Sequence, residues 1–558
     1  MDIRRTILWM IFSFSLLLLW NNWQEYNGKP SMFASTPATQ TAPAPSDGET
    51  NTADSSIPNA VASPSSPSEL SASTPASADS EIINIDTDVY RLSFDTVGAQ
   101  LVKAELLKYA APEDKTQAMV LLEHSANSVY VAQSGVVGAS AGQSYPTHLT
   151  PFALVSSEHS LSGDTLQVVF EATADDVRVI KTYTLTRGSY DIHVSHDIHN
   201  LGDAAINPSI YLQLTRDGNN PSDSSRLYRT FTGPVVYSEA DKFQKVSFSD
   251  VEKNKASYTR QADNGWIGMV QHYFATAWVP AQGLNRSNEI LRVSDNLYSV
   301  RSIEAVGTIG AGEHKAVEAN LWVGPQDQKA MSEVAKGLDL VVDYGWLTIL
   351  SKPLYKILSW LHSILGNWGW SIVVVTLLIK LVFFPLSAAS YRSMAKMKQV
   401  TPRMQALREK FGDDKAKLNA AMMEMYRNEK INPLGGCLPM LVQIPVFIAL
   451  YWVLLGSVEM RGAPWILWVQ DLAARDPWFI LPAVMMLTMF LQIKLNPTPP
   501  DPMQARIMML MPLVFGGMMF FFPAGLVLYW CVNNALSIAQ QQYITSKINR
   551  AAAAKAIG

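Results

Sequence analysis

The sequence predicts a multi-span α-helical membrane protein, with six transmembrane helices, five of them forming one core, and a large β-sandwich domain outside the membrane. Three observations lead there. Charged residues make up 16% of the 558 positions, against about 25% in ordinary soluble proteins. Apolar residues crowd into the first 23 positions and the last 215. Between those blocks the apolar pattern has period two, which half-buried strands require. The formal charge of 44 − 48 = −4 lacks the basic excess of a nucleic-acid binder, so nucleic acid is not expected as a substrate. Cys437 and Cys531 both sit in apolar segments and offer neither a disulfide framework nor metal-ligand spacing.

Residues 1–28 read as an N-terminal anchor. Arg4 and Arg5 precede an apolar run over 7–20, and no A-x-A cleavage site follows directly. Trp23 at the boundary favours a retained anchor over a cleaved signal peptide. Residues 29–80 form a linker: from 30 to 80, 37 of 51 residues are Ser, Thr, Pro or Ala, with no Lys or Arg. Such a stretch buries too little apolar surface to offset its ordering entropy, so a flexible tether is expected.

Residues 81–324 alternate. Val177-Arg178-Val179-Ile180-Lys181-Thr182-Tyr183 is one such run, and 190–199 another, with Ile192, Val194 and Ile198 on one face. Turn signals such as Arg187-Gly188-Ser189 punctuate them, as in an antiparallel sandwich large enough for its own core. Residues 325–366 are expected to connect the two parts. They include an amphipathic helix with Trp346, Leu350, Leu354, Ile357 and Leu361 on one side and Lys352, Lys356 and His362 on the other. This helix suits the membrane interface; docking on the β domain is the alternative.

Residues 367–546 hold five apolar segments, at 370–386, 434–456, 478–493, 507–522 and 526–544. The third and fourth have 16 residues each, or ~24 Å of helix against a ~30 Å hydrocarbon core, a mismatch that thins the bilayer locally. Ten Lys and Arg lie between residues 387 and 432, whereas Arg461 and Arg475 alone lie in 457–477. The positive-inside rule puts the basic loop in the cytoplasm. Both termini, including the tail 547–558, are then cytoplasmic, and the β domain lies on the outer side.

Few motifs suggest chemistry. Gly138-Ala139-Ser140-Ala141-Gly142 fits a nucleophile elbow, but Tyr145-Pro146 soon follows where that motif needs a helix. His193, His196 and His199 resemble a metal cluster, yet on a strand the outer two lie ~20 Å apart and His196 points the other way. No H-E-x-x-H, P-loop or cofactor fingerprint occurs, so no enzyme, cofactor or metal is expected.

The apolar segments are more informative. Lys380 sits inside the first of the five, where a lysine costs ~2.5–3.5 kcal/mol at the span centre. It either snorkels toward the nearer interface or faces a wet cavity inside the bundle. Thr376 lies one turn away on the same face, and other spans supply Gln443, Asn533, Asn534, Ser537 and Gln540. Polar residues spread over three spans favour the shared cavity. The basic loop 387–432 reads as a helical hairpin, with Met394, Met397, Met404, Leu407 and Phe411 as one stripe and Met422, Met423 and Met425 on the returning helix. Methionine stripes usually pack; exposed on a basic hairpin, they can also hold varied apolar segments.

These residues carry a resemblance. Gly366-Asn367-Trp368-Gly369-Trp370-Ser371-Ile372, Tyr391-Arg392-Ser393-Met394-Ala395-Lys396-Met397, Asn432-Pro433-Leu434-Gly435-Gly436-Cys437-Leu438-Pro439 and Phe522-Pro523-Ala524-Gly525-Leu526-Val527-Leu528-Tyr529-Trp530 resemble, in order, the YidC/Oxa/Alb family of membrane protein insertases. Tyr273-Phe274-Ala275-Thr276-Ala277-Trp278 is similar to the end of the periplasmic domain of its Gram-negative members, and no lipobox cysteine follows the first apolar run. The resemblance implies an inner-membrane insertase and chaperone with a hydrophilic groove open to cytoplasm and lipid. Its implied partners are nascent membrane proteins, the Sec translocon (SecYEG and SecDF), the ribosome and the lipid bilayer. Lys380 matches the family's groove cation, usually Arg, and loses that residue's bidentate fork. Thr376, Tyr529 and Trp530 match groove and client-contact positions; Trp530 stands where a second tyrosine is frequent.

Two rival readings remain. A secondary transporter or flippase with a periplasmic sensing domain predicts inverted repeats, and none is visible among the apolar segments. A carbohydrate-acting β domain on an anchor predicts a carboxylate pair in a cleft.

Overall fold

The computed structural model describes residue 57 and residues 80–112, 114–221, 230–411, 414–429, 438–496 and 502–557. The chain divides into two compact units, with the boundary between Val342 and Asp343. The expected anchor and most of the tether lie outside the described residues.

The first unit is a sandwich of two nine-stranded sheets. One sheet runs Ile82–Asp86, Tyr90–Asp95, Gln100–Ala110, Ala118–His124 and Val129–Val137, then continues with Ser209–Asp217, Leu297–Ala305, Arg286–Ser294 and Gln261–Ala262. The other runs Lys242–Lys245, Gly233–Ser238, Trp266–Val270, Phe274–Pro280, His314–Pro325, Asp191–Asn200, Val177–Thr186, Thr165–Ala174 and Ala153–Leu154. Neighbouring strands pair antiparallel, as alternation with one wet face implies. Val177, Val179, Tyr183 and Leu185 point into the core from one strand, and Ile192, Val194 and Ile198 from the next. Three polar tips stitch the sheets: Trp278 Nε1 donates to the Gln213 carbonyl at 3.1 Å, Tyr183 to Ala99 at 2.7 Å and Tyr130 to Met269 at 3.2 Å.

One core position departs from the pattern. Lys181 is fully buried, and its ammonium donates to the carbonyls of Gly98 at 2.7 Å and Ser134 at 2.8 Å. Burial pulls its pKa down from 10.5 to about 7. The Ser134 hydroxyl bonds buried His196 at 2.7 Å, and burial holds that imidazole well below the ordinary histidine range, with Lys181 adding to the effect.

Two features lie at the edges of the β unit. The last strand ends at Pro325, and the helix Gln328–Val334 and the 3-10 turn Leu338–Val341 still belong to the β unit. Asp327 caps that helix, accepting from Lys329 N at 2.9 Å and Ala330 N at 3.1 Å. Residues 325–342 thus group with the β unit. The tether also has a foothold: Ile57 packs against Val137, Tyr211 and Ile303.

The second unit contains helices α1 (Thr348–Leu365), α2 (Trp368–Val382), α3 (Phe384–Phe411), α4 (Lys415–Asn428), α5 (Leu438–Gly456), α6 (Ile480–Leu495), α7 (Pro502–Met519) and α8 (Ala524–Ile557). Gly366, at φ 64°, ends α1 in the left-handed region that suits glycine. Asn367 then starts α2 by accepting from Trp370 N at 3.0 Å. On α1, Ser351, Leu358 and Leu361 are buried while Ile349, Trp360 and Ile364 stay exposed. The Ser351 hydroxyl donates to the Ala449 carbonyl of α5 at 3.2 Å.

The apolar segment at 370–386 is not one straight span. It breaks at Phe383, and α2 meets α3 at 66°. Pro385 lacks the N–H that would continue the ladder to Leu381 and disfavours helical backbone before it, which accounts for the break. Among the described residues no single helix is long and apolar enough to cross a membrane; this bent pair passes that test together, and 442–456, 480–495 and 505–519 are shorter apolar helices. The last segment runs on as one helix of 34 residues, ~51 Å at ~1.5 Å per residue, well beyond its apolar half.

Candidate functional site

The helical unit has an inverted polarity. Leu377, Leu381, Val382, Leu487, Leu513 and Val514 are exposed, whereas Lys380, Ser387, Ser390, Asn534, Ser537 and Gln541 are buried. A chain whose outer faces meet hydrocarbon puts its polar side chains inward in this way.

The inward polar side chains converge on Lys380. Its side chain leaves α2 three residues before the bend and is 2% exposed. The ammonium donates to Ser537 Oγ on α8 at 2.7 Å and lies 3.5 Å from Gln443 Oε1 on α5. Ser537 in turn donates to the Asn533 carbonyl at 2.8 Å, and the Tyr391 hydroxyl from α3 reaches the Ser537 carbonyl at 3.4 Å. Four helices thus contribute to one polar seam. Lys380 does not snorkel: its charge is turned into the bundle and engaged there.

The other polar residues divide. Thr376 lies on the Lys380 face and is buried, but its hydroxyl donates to the Ile372 carbonyl of its own helix at 2.6 Å. Asn534 turns to α6, where its amide donates to Thr488 at 3.3 Å, and Gln541 reaches Asn496 at 3.0 Å. Asn533 contributes its carbonyl to the seam.

Tyr529 and Trp530 belong to an aromatic cluster nearer the start of α8. Phe447 of α5 lies 6.0 Å from the Tyr529 ring and 4.8 Å from Trp530, and Phe515 of α7 packs on Trp530 at 5.3 Å. The Trp530 Nε1 donor is buried and has no hydrogen-bond partner among the described residues. A buried indole N–H normally finds an acceptor.

The hairpin methionines do not act alike. Met404 is buried, and the Tyr426 hydroxyl of α4 approaches its sulfur at 3.1 Å. It packs α3 onto α4. Met394 and Met397 are half-buried, and Met423 on α4 is 65% exposed. Arg403 and Glu429 close the hairpin with an ion pair at 2.6 Å.

Two of the motifs singled out in the β unit do not assemble a site among the described residues. Residues 138–142 form a loop with exposed Ser140 and no helix after it. His196 points into the core while His193 and His199 point outward, so the three share no ion. Glu304, a buried carboxylate of the sandwich, stands directly across from Arg286.

The sequence reading missed Tyr391, Thr488, Asn496 and Phe447. Each lies on a different helix from its partner, and only the fold brings them together.

Comparison with known proteins covers nearly the whole chain. Residues 82–357 match the family described as YidC periplasmic domain, and residues 360–551 match the 60Kd inner membrane protein family. The chain is 66% identical over 566 residues to the membrane protein insertase YidC of Bordetella petrii, covering 100% of both chains. It is 67% identical over 567 residues to that of Bordetella pertussis, again covering 100% of both. A solved structure of an active YidC insertase with its first transmembrane domain resolved shares 17% identity, covers 83% of this chain and 92% of its own, and has a TM-score of 0.41.

Proposed function

The chain belongs to the YidC family of membrane protein insertases, a family of insertases rather than enzymes, and we propose that it moves client segments along the polar seam centred on Lys380 while their apolar spans pass into the bilayer. The observation that carries this reading is the Lys380 ammonium, 2% exposed and bonded to Ser537 at 2.7 Å. A buried charge is costly unless it is used. A client's polar tail meets the same cost in hydrocarbon, and a cation with hydroxyl and amide neighbours lowers it for acidic tails. Insertion needs no nucleotide, since burial of the client's own apolar span supplies the free energy.

Gln443, Asn533 and Thr376 line the client's path near the cation, Asn534 stiffens it through Thr488, and Tyr529 and Trp530 guide the apolar part of the client. Met394 and Met397 on the hairpin capture emerging chains. The protein crosses the inner membrane of a Gram-negative bacterium six times, with both termini in the cytoplasm and the β unit in the periplasm. The ten basic residues of 387–432 support that orientation, and the exposed apolar faces of α2, α6 and α7 support burial in lipid. Clients are nascent membrane proteins, handed over alone or beside the Sec translocon, with the ribosome at the cytoplasmic face.

The test is the protease accessibility of a single-span client's acidic tail in cells carrying Lys380 variants at equal protein level. Lys380→Arg supports insertion, whereas Lys380→Ala and Lys380→Glu lose it. Wild-type insertion in the Ala variant would overturn the reading.

A further inference from the structure

The outward face of the β unit carries a side-chain cluster that insertion does not use. Asp197 and His199 lie two residues apart on the strand Asp191–Asn200, so both leave the sheet on the same face. His314 stands directly opposite His199 on the neighbouring strand His314–Pro325. Asp197 Oδ2 is 2.9 Å from His199 Nε2, and Asp197 Oδ1 is 2.8 Å from His314 Nδ1. One ligand atom from each residue lies within 4.8 Å of the others. The two imidazoles stack with centroids 4.8 Å apart and planes 11° apart. Their side chains are 20% (His199) and 61% (His314) exposed, so solvent reaches the cluster.

We propose that Asp197, His199 and His314 bind a divalent late first-row transition ion, with zinc as the best match. The donor set decides the class: two imidazoles and one carboxylate suit zinc, nickel or copper, whereas magnesium and calcium favour oxygen throughout. The geometry needs little change. Both ring nitrogens already aim at one carboxylate, and the three donors would have to close on an ion at the ~2.0–2.2 Å that zinc requires. Three protein ligands leave a fourth position for water, as in an exchangeable site rather than a closed structural one. The neighbouring charges permit it. Arg178 stands across from His199 on the strand Val177–Thr186 and is paired with Glu171 at 3.7 Å. Lys315 turns to the other face, where it bonds the Val306 carbonyl, and Glu313 is held by Gly310 N at 2.9 Å.

The experiment is a calorimetric titration of the tag-free full-length protein in detergent with zinc chloride near neutral pH. The wild type takes up one zinc per chain at this site, and zinc raises the unfolding temperature of the β unit. His199→Ala, His314→Ala and Asp197→Asn each weaken binding at least about tenfold, while His193→Ala, on the same strand, does not change it. Circular dichroism confirms that each variant is folded, and exposed His314 is the substitution least able to disturb the sandwich. Two results would overturn the proposal: no zinc uptake by the wild type at about 100 μM, a free energy near −5.5 kcal/mol, or undiminished stoichiometric uptake by a folded His199→Ala/His314→Ala variant. Either would leave the cluster as two imidazoles hydrogen-bonded to a carboxylate.

Discussion

Ser537→Ala is the smallest change that separates a positioned cation from a lysine that merely lies near the seam. Ser537 Oγ accepts from the Lys380 ammonium at 2.7 Å, and the remaining side-chain partner, Gln443, is at 3.5 Å. A hydrogen bond to a charged group contributes ~1.5–3 kcal/mol, so its loss shifts the inward-held population of Lys380 about ten- to hundredfold. The bend at Phe383 is three residues away, ~4.5 Å along the helix, and a freed lysine stem can turn toward it. We predict that Ser537→Ala slows translocation of an acidic client tail about tenfold or more. In a Lys380→Ala background the same substitution adds nothing, because the two residues act as one unit. The assay is pulse-labelling with protease accessibility of the tail, in the four strains of the double-mutant cycle, at matched protein levels. Equal fold losses from Ser537→Ala in both backgrounds would refute the reasoning, and so would a wild-type rate in the single variant.

Three further outcomes follow from the same structure. Lys181 holds its proton up to about 10.5 when unfolded but only to about 7 when buried; the unfolded state therefore binds more protons across that window, and β-unit stability rises with pH from 7 toward 10. Urea titrations read by amide exchange in Val177–Thr186 check this, and Lys181→Met should flatten the pH dependence. Met404→Ala should destabilise the hairpin by ~2–4 kcal/mol, seen as proteolytic nicking between α3 and α4, whereas Met423→Ala should leave the hairpin resistant and weaken client crosslinking; the reverse pattern would exchange their roles. Asp476 accepts from Leu481 N at 2.7 Å, Trp478 N at 3.1 Å and Trp468 Nε1 at 3.0 Å at the start of α6, so Asp476→Ala should cost ~1–2 kcal/mol and lower the unfolding temperature of the helical unit. An unchanged temperature would argue that water replaces these bonds.

The sandwich was legible wherever one strand face is wet. The run from Val177 to Tyr183 and the one ending at His199 became the strands Val177–Thr186 and Asp191–Asn200. Ser209–Asp217 and Trp266–Val270 are buried at every position, so alternation could not mark them. Lys380 was visible because a lysine in an apolar run breaks a local rule, but its partner is 157 residues away and only the fold selects Ser537 among the polar residues of α8. The bend at Phe383 rests on Pro385, a signal present in the sequence yet outweighed by the mainly apolar composition of 370–386. The burial of Met404 was not legible, because a stripe on one helix does not say which side the returning helix covers. His199 and His314 are joined by strand register across 115 residues, so the sequence pattern exposed only the local histidines.

The central claim is that clients travel along the seam, and site-specific photocrosslinking to a stalled nascent client tests it most directly. The probe is placed in turn at Gln443, at Trp530 and, as a lipid-facing reference, at Leu513, which is 64% exposed. The account predicts strong crosslinks to the client from Gln443 and Trp530, and a Gln443 signal that falls in Lys380→Ala. Equal or stronger crosslinking from Leu513, with none from Gln443 or Trp530, would contradict it.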